Sequence, residues 1–153
     1  MAYNGRMEAL SENRRARFDY EILDTFEAGI ELKGFEVKSV KLGRANIAGS
    51  FALPRGEELW LTNADIPPYQ PANTPINYDP KRSRRLLVTK EELRAYVGKL
   101  KSEKLTLVPL KMYNKRGLVK VEIALARPKK KGDRREAVKK REAKREIERT
   151  LKK

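Results

Sequence analysis

The sequence predicts a small, mainly β domain of the α+β class, followed by a basic tail. Three observations carry that prediction. Short apolar, β-branched runs alternate with turn residues, one segment has clear helical periodicity, and the composition changes sharply at Arg127/Pro128. A chain of 153 residues has room for one domain and an appendage. Residues 1–12 are expected to form a flexible extension, 13–127 the folded body and 128–153 the tail.

Phe18–Phe26 sets Phe18, Tyr20, Ile22 and Leu23 among charged residues, a rough alternation that predicts a half-buried strand. Gly29 and Gly34 punctuate the next stretch, and Val37, Val40 and Lys41 in Glu36–Leu42 stand at helical spacing. Ser50–Leu53 and Leu59–Thr62 flank the turn residues Pro54-Arg55-Gly56-Glu57, which predicts a hairpin. Ile66–Pro80 holds five prolines and reads as a long loop. Arg85–Val88 reads as a short strand. Thr89 then offers an N-cap, Glu91 and Glu92 suit a first turn, and Leu93, Tyr96, Val97 and Leu100 recur at helical spacing. Leu105–Tyr113 and Leu118–Ala126 surround Asn114-Lys115-Arg116-Gly117, a second hairpin. Several short antiparallel strands with one good helix fit a small barrel or sandwich with helical additions. Trp60 and Tyr113 are expected in its core.

The tail contains 13 of the 36 Lys+Arg and 5 of the 21 Asp+Glu, a net +8 of the chain's +15. Its sizeable apolar residues, Val138, Ile147 and Leu151, are too few to offset the entropy of ordering. From Arg134 onward, however, it is rich in helix formers, and Val138, Ala143, Ile147 and Leu151 make a thin apolar stripe. The expectation is a latent helix that forms on a phosphate-rich surface; a solvated tail that only aids solubility is the alternative.

The chain has no Cys and no His. That excludes disulfides, thiolate nucleophiles, Cys-based zinc sites and Ser-His-Asp catalysis. The acids are scattered among bases, with no phosphate-binding Gly-rich loop or DxD spacing, so no enzyme, metal or cofactor is expected. No apolar stretch approaches the ~18 residues of a membrane span, and residues 1–17 lack a signal-peptide core, so a cytoplasmic protein without a membrane partner is expected. The +15 charge makes a polyanion the first partner to consider. A ribosomal structural protein and a single-strand-binding protein are rival readings; 7% aromatics and no aromatic cluster weaken the second.

More specific are Asn13-Arg14-Arg15-Ala16, Tyr20-Glu21-Ile22, Phe26-Glu27-Ala28-Gly29-Ile30 and Gly34-Phe35-Glu36-Val37-Lys38-Ser39. Gly43-Arg44-Ala45-Asn46-Ile47, Asp79-Pro80-Lys81-Arg82-Ser83-Arg84-Arg85-Leu86-Leu87, Leu107-Val108-Pro109-Leu110-Lys111-Met112-Tyr113 and Lys129-Lys130-Lys131-Gly132-Asp133-Arg134-Arg135-Glu136 come next, in that order. Together these eight runs resemble the small protein B (SmpB) family, over roughly Asn13 to Arg149. The resemblance implies an OB-type antiparallel β-barrel with accessory helices and a basic tail that becomes helical on the ribosome. It implies binding to the tRNA-like domain of transfer-messenger RNA and delivery to the A site of stalled ribosomes, with the tail in the empty messenger channel. The implied partners are that RNA, the small-subunit decoding centre and messenger channel, and elongation factor Tu with the aminoacylated RNA. The outcome is trans-translation, in which the incomplete protein is tagged for proteolysis.

Carried over by the same resemblance, Glu27, Leu87 and Lys120 are RNA-binding positions. From the residues alone, Glu27 is either an acceptor for base N–H or 2′-OH groups, a holder of a neighbouring Arg, or a solvated strand-end charge. Leu87 either stacks on an unpaired base or fills the core. Lys120 either meets a phosphate or merely alternates on a strand. Lys81, Arg82, Arg84 and Arg85 form one cationic cluster, and Lys38, Lys41 and Arg44 with Asn46 a second; both are expected at RNA. Lys129, Lys130, Asp133, Arg134 and Arg135 match the family's decoding-centre segment. The chain departs from the family's pattern at Pro128 (usually Gly), Gly132 (usually Tyr or His) and Tyr78 (usually His). Gly132 removes a stacking group; Pro128 stiffens the joint between body and tail.

Overall fold

The computed structural model describes residues 8–130, 141–147 and 149. Within residues 8–130, seven strands and three α-helices follow one another: β1 (Glu8–Glu12), α1 (Ala16–Asp19), β2 (Tyr20–Ile30), α2 (Gly34–Lys41), β3 (Phe51–Arg55), β4 (Glu58–Thr62), β5 (Arg84–Leu87), α3 (Lys90–Glu103), β6 (Thr106–Lys115) and β7 (Leu118–Pro128). All pairings are antiparallel, in the order β1-β6-β3-β4-β5-β2-β7, and β7 pairs again with β6. The neighbour relations of β2 to β7 therefore form a cycle, with β1 added outside β6.

Long strands β6 and β7 carry most of the core, and the reason is visible in their sequence. Leu107, Met112, Val121, Ile123 and Leu125 point into the main core with Leu59, Leu61, Leu86, Ile47, Ile66 and Val40. Val108, Leu110, Ala124 and Ala126 pack on the other face with Ala16. Both faces are covered, so these strands read as apolar runs instead of alternating. Their turn is tight: Lys115 pairs with Leu118, and Arg116 and Gly117 both take positive φ, at 54° and 85°. That is the geometry matching the right-handed twist of a hairpin. The α3 N-cap is as expected, with Thr89 Oγ1 accepting the Glu92 N–H at 3.1 Å.

Several expectations need correction. Residues 8–12 are a strand of the sheet, Ala9 facing Tyr113 and Glu12 facing Lys111, so this part of the segment expected as a flexible extension belongs to the body. The strand expected over Phe18–Phe26 begins at Tyr20 and runs to Ile30, while Phe18 lies in the single turn of α1. A register shift between Ile22 and Asp24 breaks the period of two, which is why alternation marked that strand poorly. Trp60 is only half-buried, with the Arg55 guanidinium 5.6 Å from its ring centre. Residues 141–147 are helical, within the stretch whose composition predicts a helix.

Candidate nucleic-acid interface

Register brings three distant residues to one place. Leu87 on β5 pairs with Gly29 on β2, Gly29 pairs with Lys120 on β7, and Lys120 pairs with Tyr113 on β6. Directly paired residues share a face of the sheet, and Glu27, two residues from Gly29, shares it too. This is the face away from the core, since the intervening Ala28, Leu86, Val121 and Met112 are buried. Leu87 is 46% exposed, an unusual state for a leucine between two core-lining strands. It lies across Gly29, where an added Cβ would come within 3.2 Å of the Leu87 Cβ. The row therefore presents an apolar side chain, a bare backbone and a half-buried lysine side by side, with a carboxylate adjacent.

Glu27 is held in place. The Tyr113 hydroxyl donates to its Oε2 at 2.6 Å, and Lys115 Nζ reaches Oε2 at 3.1 Å and Oε1 at 3.3 Å. The Tyr113 bond holds the Glu27 carboxyl below its ordinary range; partial burial opposes this, and Lys115 and Lys120 add to it. Burial, then the bond to Glu27, pushes the Tyr113 phenol well up, so it remains a donor. A carboxylate has about four acceptor positions. Among the described residues Oε2 is doubly engaged, while Oε1 accepts only the longer Lys115 contact.

The first cationic cluster divides. Arg84 is completely buried, so the expectation that it contacts RNA is corrected. Its Nε donates to Glu36 Oε2 at 2.8 Å, Nη1 to the Ala64 carbonyl at 2.8 Å, and Nη2 to the Pro80 carbonyl and the Tyr78 hydroxyl at 2.9 Å. Arg82 also bonds Glu36, through Nε at 3.1 Å and through Nη2 to Oε1. The Tyr78 hydroxyl lies 2.9 Å from Glu36 Oε2 and 2.7 Å from the Ile66 carbonyl, and its one proton serves either acceptor. Burial pushes the Glu36 carboxyl up, but the Arg82, Lys33 backbone and Arg84 hydrogen bonds outweigh it and bring it to about 2. Burial and Glu36 raise the Tyr78 phenol to about 12. This network pins α2 and the Pro-rich loop to β5. The signal for it was the strand period: Arg84 alternates inward with Leu86, Arg85 outward with Leu87. Arg85 is partly exposed and loosely paired with Glu31 at 3.8 Å and Glu58 at 3.7 Å, and Lys81 is exposed.

In the second cluster, Lys38 Nζ and Arg44 Cζ stand 5.5 and 6.0 Å from the Tyr69 ring centre, and Arg44 Nη1 donates to the Tyr69 carbonyl at 3.2 Å. Lys41 Nζ reaches the Gly117 carbonyl at 2.9 Å, which ties α2 to the turn carrying Lys115 and Arg116. Asn46 serves the loop instead: its backbone bridges Asp65 and its Oδ1 accepts the Ala48 N–H at 3.0 Å. The tail leaves beside α1. The Lys129 N–H donates to the Asp19 carbonyl at 2.9 Å and its Nζ to the Arg17 carbonyl at 3.1 Å, while Lys130 is exposed. Arg141 lies 5.3 Å from the Phe18 ring centre. Asp133, Arg134 and Arg135 lie outside the described residues. Among the described residues no helix is long and apolar enough to cross a membrane.

The family model described as "SmpB protein" matches residues 10–153. An SsrA-binding protein of Synechococcus elongatus is 52% identical over 152 residues, covering 99% of both chains. The SsrA-binding protein of Trichodesmium erythraeum is 52% identical over 143 residues, 94% of this chain and 92% of that one. A solved structure described as "tmRNA-SmpB: a journey to the center of the bacterial ribosome" contains a chain 51% identical to this one, with a TM-score of 0.65 over 83% of this chain and 92% of that chain.

Proposed function

The chain belongs to the SmpB family, and on that footing we propose that it binds the tRNA-like domain of transfer-messenger RNA through the β5–β2–β7 face. The supporting observation is the convergence of Leu87, Gly29 and Lys120 in one cross-strand row beside Glu27. Arg85 adds a cation to that face, and Lys81, Lys38 and Arg44 supply further cations for the backbone elsewhere on the body; Arg82 and Arg84 brace the fold from within. Irregular RNA is read through unstacked bases, 2′-hydroxyls and phosphates, which this mixture of apolar, carboxylate and ammonium groups suits.

The cyclic strand order is read as an OB-type barrel. The body carries the RNA to the A site of a stalled ribosome, in company with elongation factor Tu. The tail, with Lys129, Lys130, Asp133, Arg134 and Arg135 at its start, enters the decoding centre and the vacant messenger channel, and trans-translation ensues in the cytoplasm. The chain itself performs no catalysis in this scheme. Truncation after Arg127 should leave RNA binding intact and abolish tagging of a stalled nascent chain in reconstituted translation. Loss of RNA binding on truncation would sink the division of labour.

A further inference from the structure

We propose that Tyr113 is a positioning residue: with Lys115 it fixes Glu27 as an oriented acceptor, so that this face reads an N–H or O–H donor of an unpaired nucleotide and not a phosphate. The inference rests on the RNA-binding reading above and assigns the chemistry of one contact within it. A phosphate diester offers only acceptors, so an ionised carboxylate among the contacts would repel it. The same carboxylate is matched by a base N–H or a ribose 2′-hydroxyl, both of which donate.

Geometry makes Glu27 suited to this. Tyr113 is 2% exposed on the outer face of β6, so its ring is fixed and its hydroxyl approaches from one direction, 2.6 Å from Oε2. Lys115 approaches the same oxygen from the turn. Oε1 is left with unused capacity on a side chain 36% exposed, one step along β2 from the row that holds Leu87 and Lys120. An unpaired nucleotide could rest on Leu87 and Gly29, place its phosphate at Lys120 and donate to Oε1. The groups around Glu27 are Tyr113, Lys115 and Lys111 on β6, Lys120 and its neighbour Glu122 on β7, and Arg85 with Leu87 on β5. Tyr113 is the one whose removal changes orientation without changing charge.

The test titrates full-length protein with the tRNA-like fragment of transfer-messenger RNA at pH 7.5 and pH 5, using wild type, Tyr113→Phe, Glu27→Gln and the double variant, with thermal melting alongside. Tyr113→Phe should weaken binding about tenfold, the scale of one hydrogen bond to a charged group. The loss should be larger at pH 5, because Glu27 without its donor takes a proton at higher pH. In the Glu27→Gln background the tyrosine substitution should add nothing. Additive losses, or an equal loss at both pH values, would overturn the inference and leave Tyr113 as packing. Should Tyr113→Phe fail to fold, Lys115→Met must show the same coupling to Glu27→Gln; independence there overturns it equally. A parallel series with 2′-O-methylated loop nucleotides identifies the donor: lost sensitivity to Glu27→Gln assigns the ribose hydroxyl, retained sensitivity a base N–H. Wild type that ignores the RNA refutes the RNA-binding reading itself and this inference with it, which is distinct from binding without coupling.

Discussion

Glu36 and Glu27 are both carboxylates gripped by a tyrosine hydroxyl and by cations, yet their surroundings set them to different work. Glu36 is fully buried, and Arg82, Arg84, the Lys33 amide and Tyr78 fill its oxygens. Glu27 keeps 36% of its side chain exposed, faces a flexible lysine instead of two guanidinium forks, and has acceptor capacity to spare. A planar Arg pair is suited to a permanent, desolvated contact, whereas a lysine exchanges partners readily. The difference teaches that a charged cluster belongs to the fold when its hydrogen-bonding capacity is consumed internally. It belongs to the surface when capacity is left over. By that criterion the run Lys81 to Arg85 contains both kinds of residue within one strand and its approach.

The contrast can be broken most severely at Arg84. Arg84→Met leaves Glu36 buried with part of its charge uncompensated and should cost about 3–5 kcal/mol in urea unfolding. Lys120→Ala, by comparison, should stay within about 0.5 kcal/mol of wild type. Loss of stability at Lys120 equal to that at Arg84 would erase the distinction.

Acid should expose the same difference. The Glu36 carboxyl lies near 2 in the folded protein and in the ordinary range of about 4.3 in the unfolded chain. Its contribution is therefore complete above that ordinary value and lost as pH falls from there toward 2, an effect of about 3 kcal/mol. Glu36→Gln should flatten that part of the stability–pH curve measured by chemical denaturation. An unchanged slope would mean the network carries no net charge stabilisation.

Smaller effects sharpen the surface side. Leu87→Ala should weaken RNA binding about fivefold, since roughly 1 kcal/mol of apolar contact is lost, and leave the melting temperature nearly unchanged. Gly29→Ala should weaken it less, by pushing Leu87 outward a few tenths of an ångström. A large drop in stability with either would put Leu87 in the core. Lys115→Met should alter stability by at most about 1 kcal/mol, because the pair with Glu27 is solvent-exposed.

Much of this was legible in the sequence. The α3 helix, both hairpins and the apolar character of β6 and β7 follow from capping, turn residues and β-branched runs. Glu27, Leu87 and Lys120 came from family resemblance, because nothing local marks them. Only register places them together, and register between strands about 60–90 residues apart is set by the whole sheet. Tyr113 is buried as expected, but on the outer face of β6 and outside both core clusters, and its hydroxyl bond to Glu27 spans 86 positions and has no sequence signature. β1 was missed because Glu8–Glu12 has only Leu10 as a large apolar residue and relies on pairing with β6. Arg84 was misread because the density of cations from Lys81 to Arg85 conceals a two-residue period.

The most direct test pairs two measurements on two variants: affinity for the tRNA-like fragment of transfer-messenger RNA and the urea midpoint, for Lys120→Ala and Arg84→Met. Lys120→Ala should lose affinity at wild-type stability. Arg84→Met should unfold at markedly lower urea yet, at temperatures where it remains folded, bind within about threefold of wild type, since a fully buried guanidinium makes no phosphate contact. The reverse pattern, with Arg84→Met stable but deficient in binding and Lys120→Ala unaffected, would contradict the assignment of the two regions.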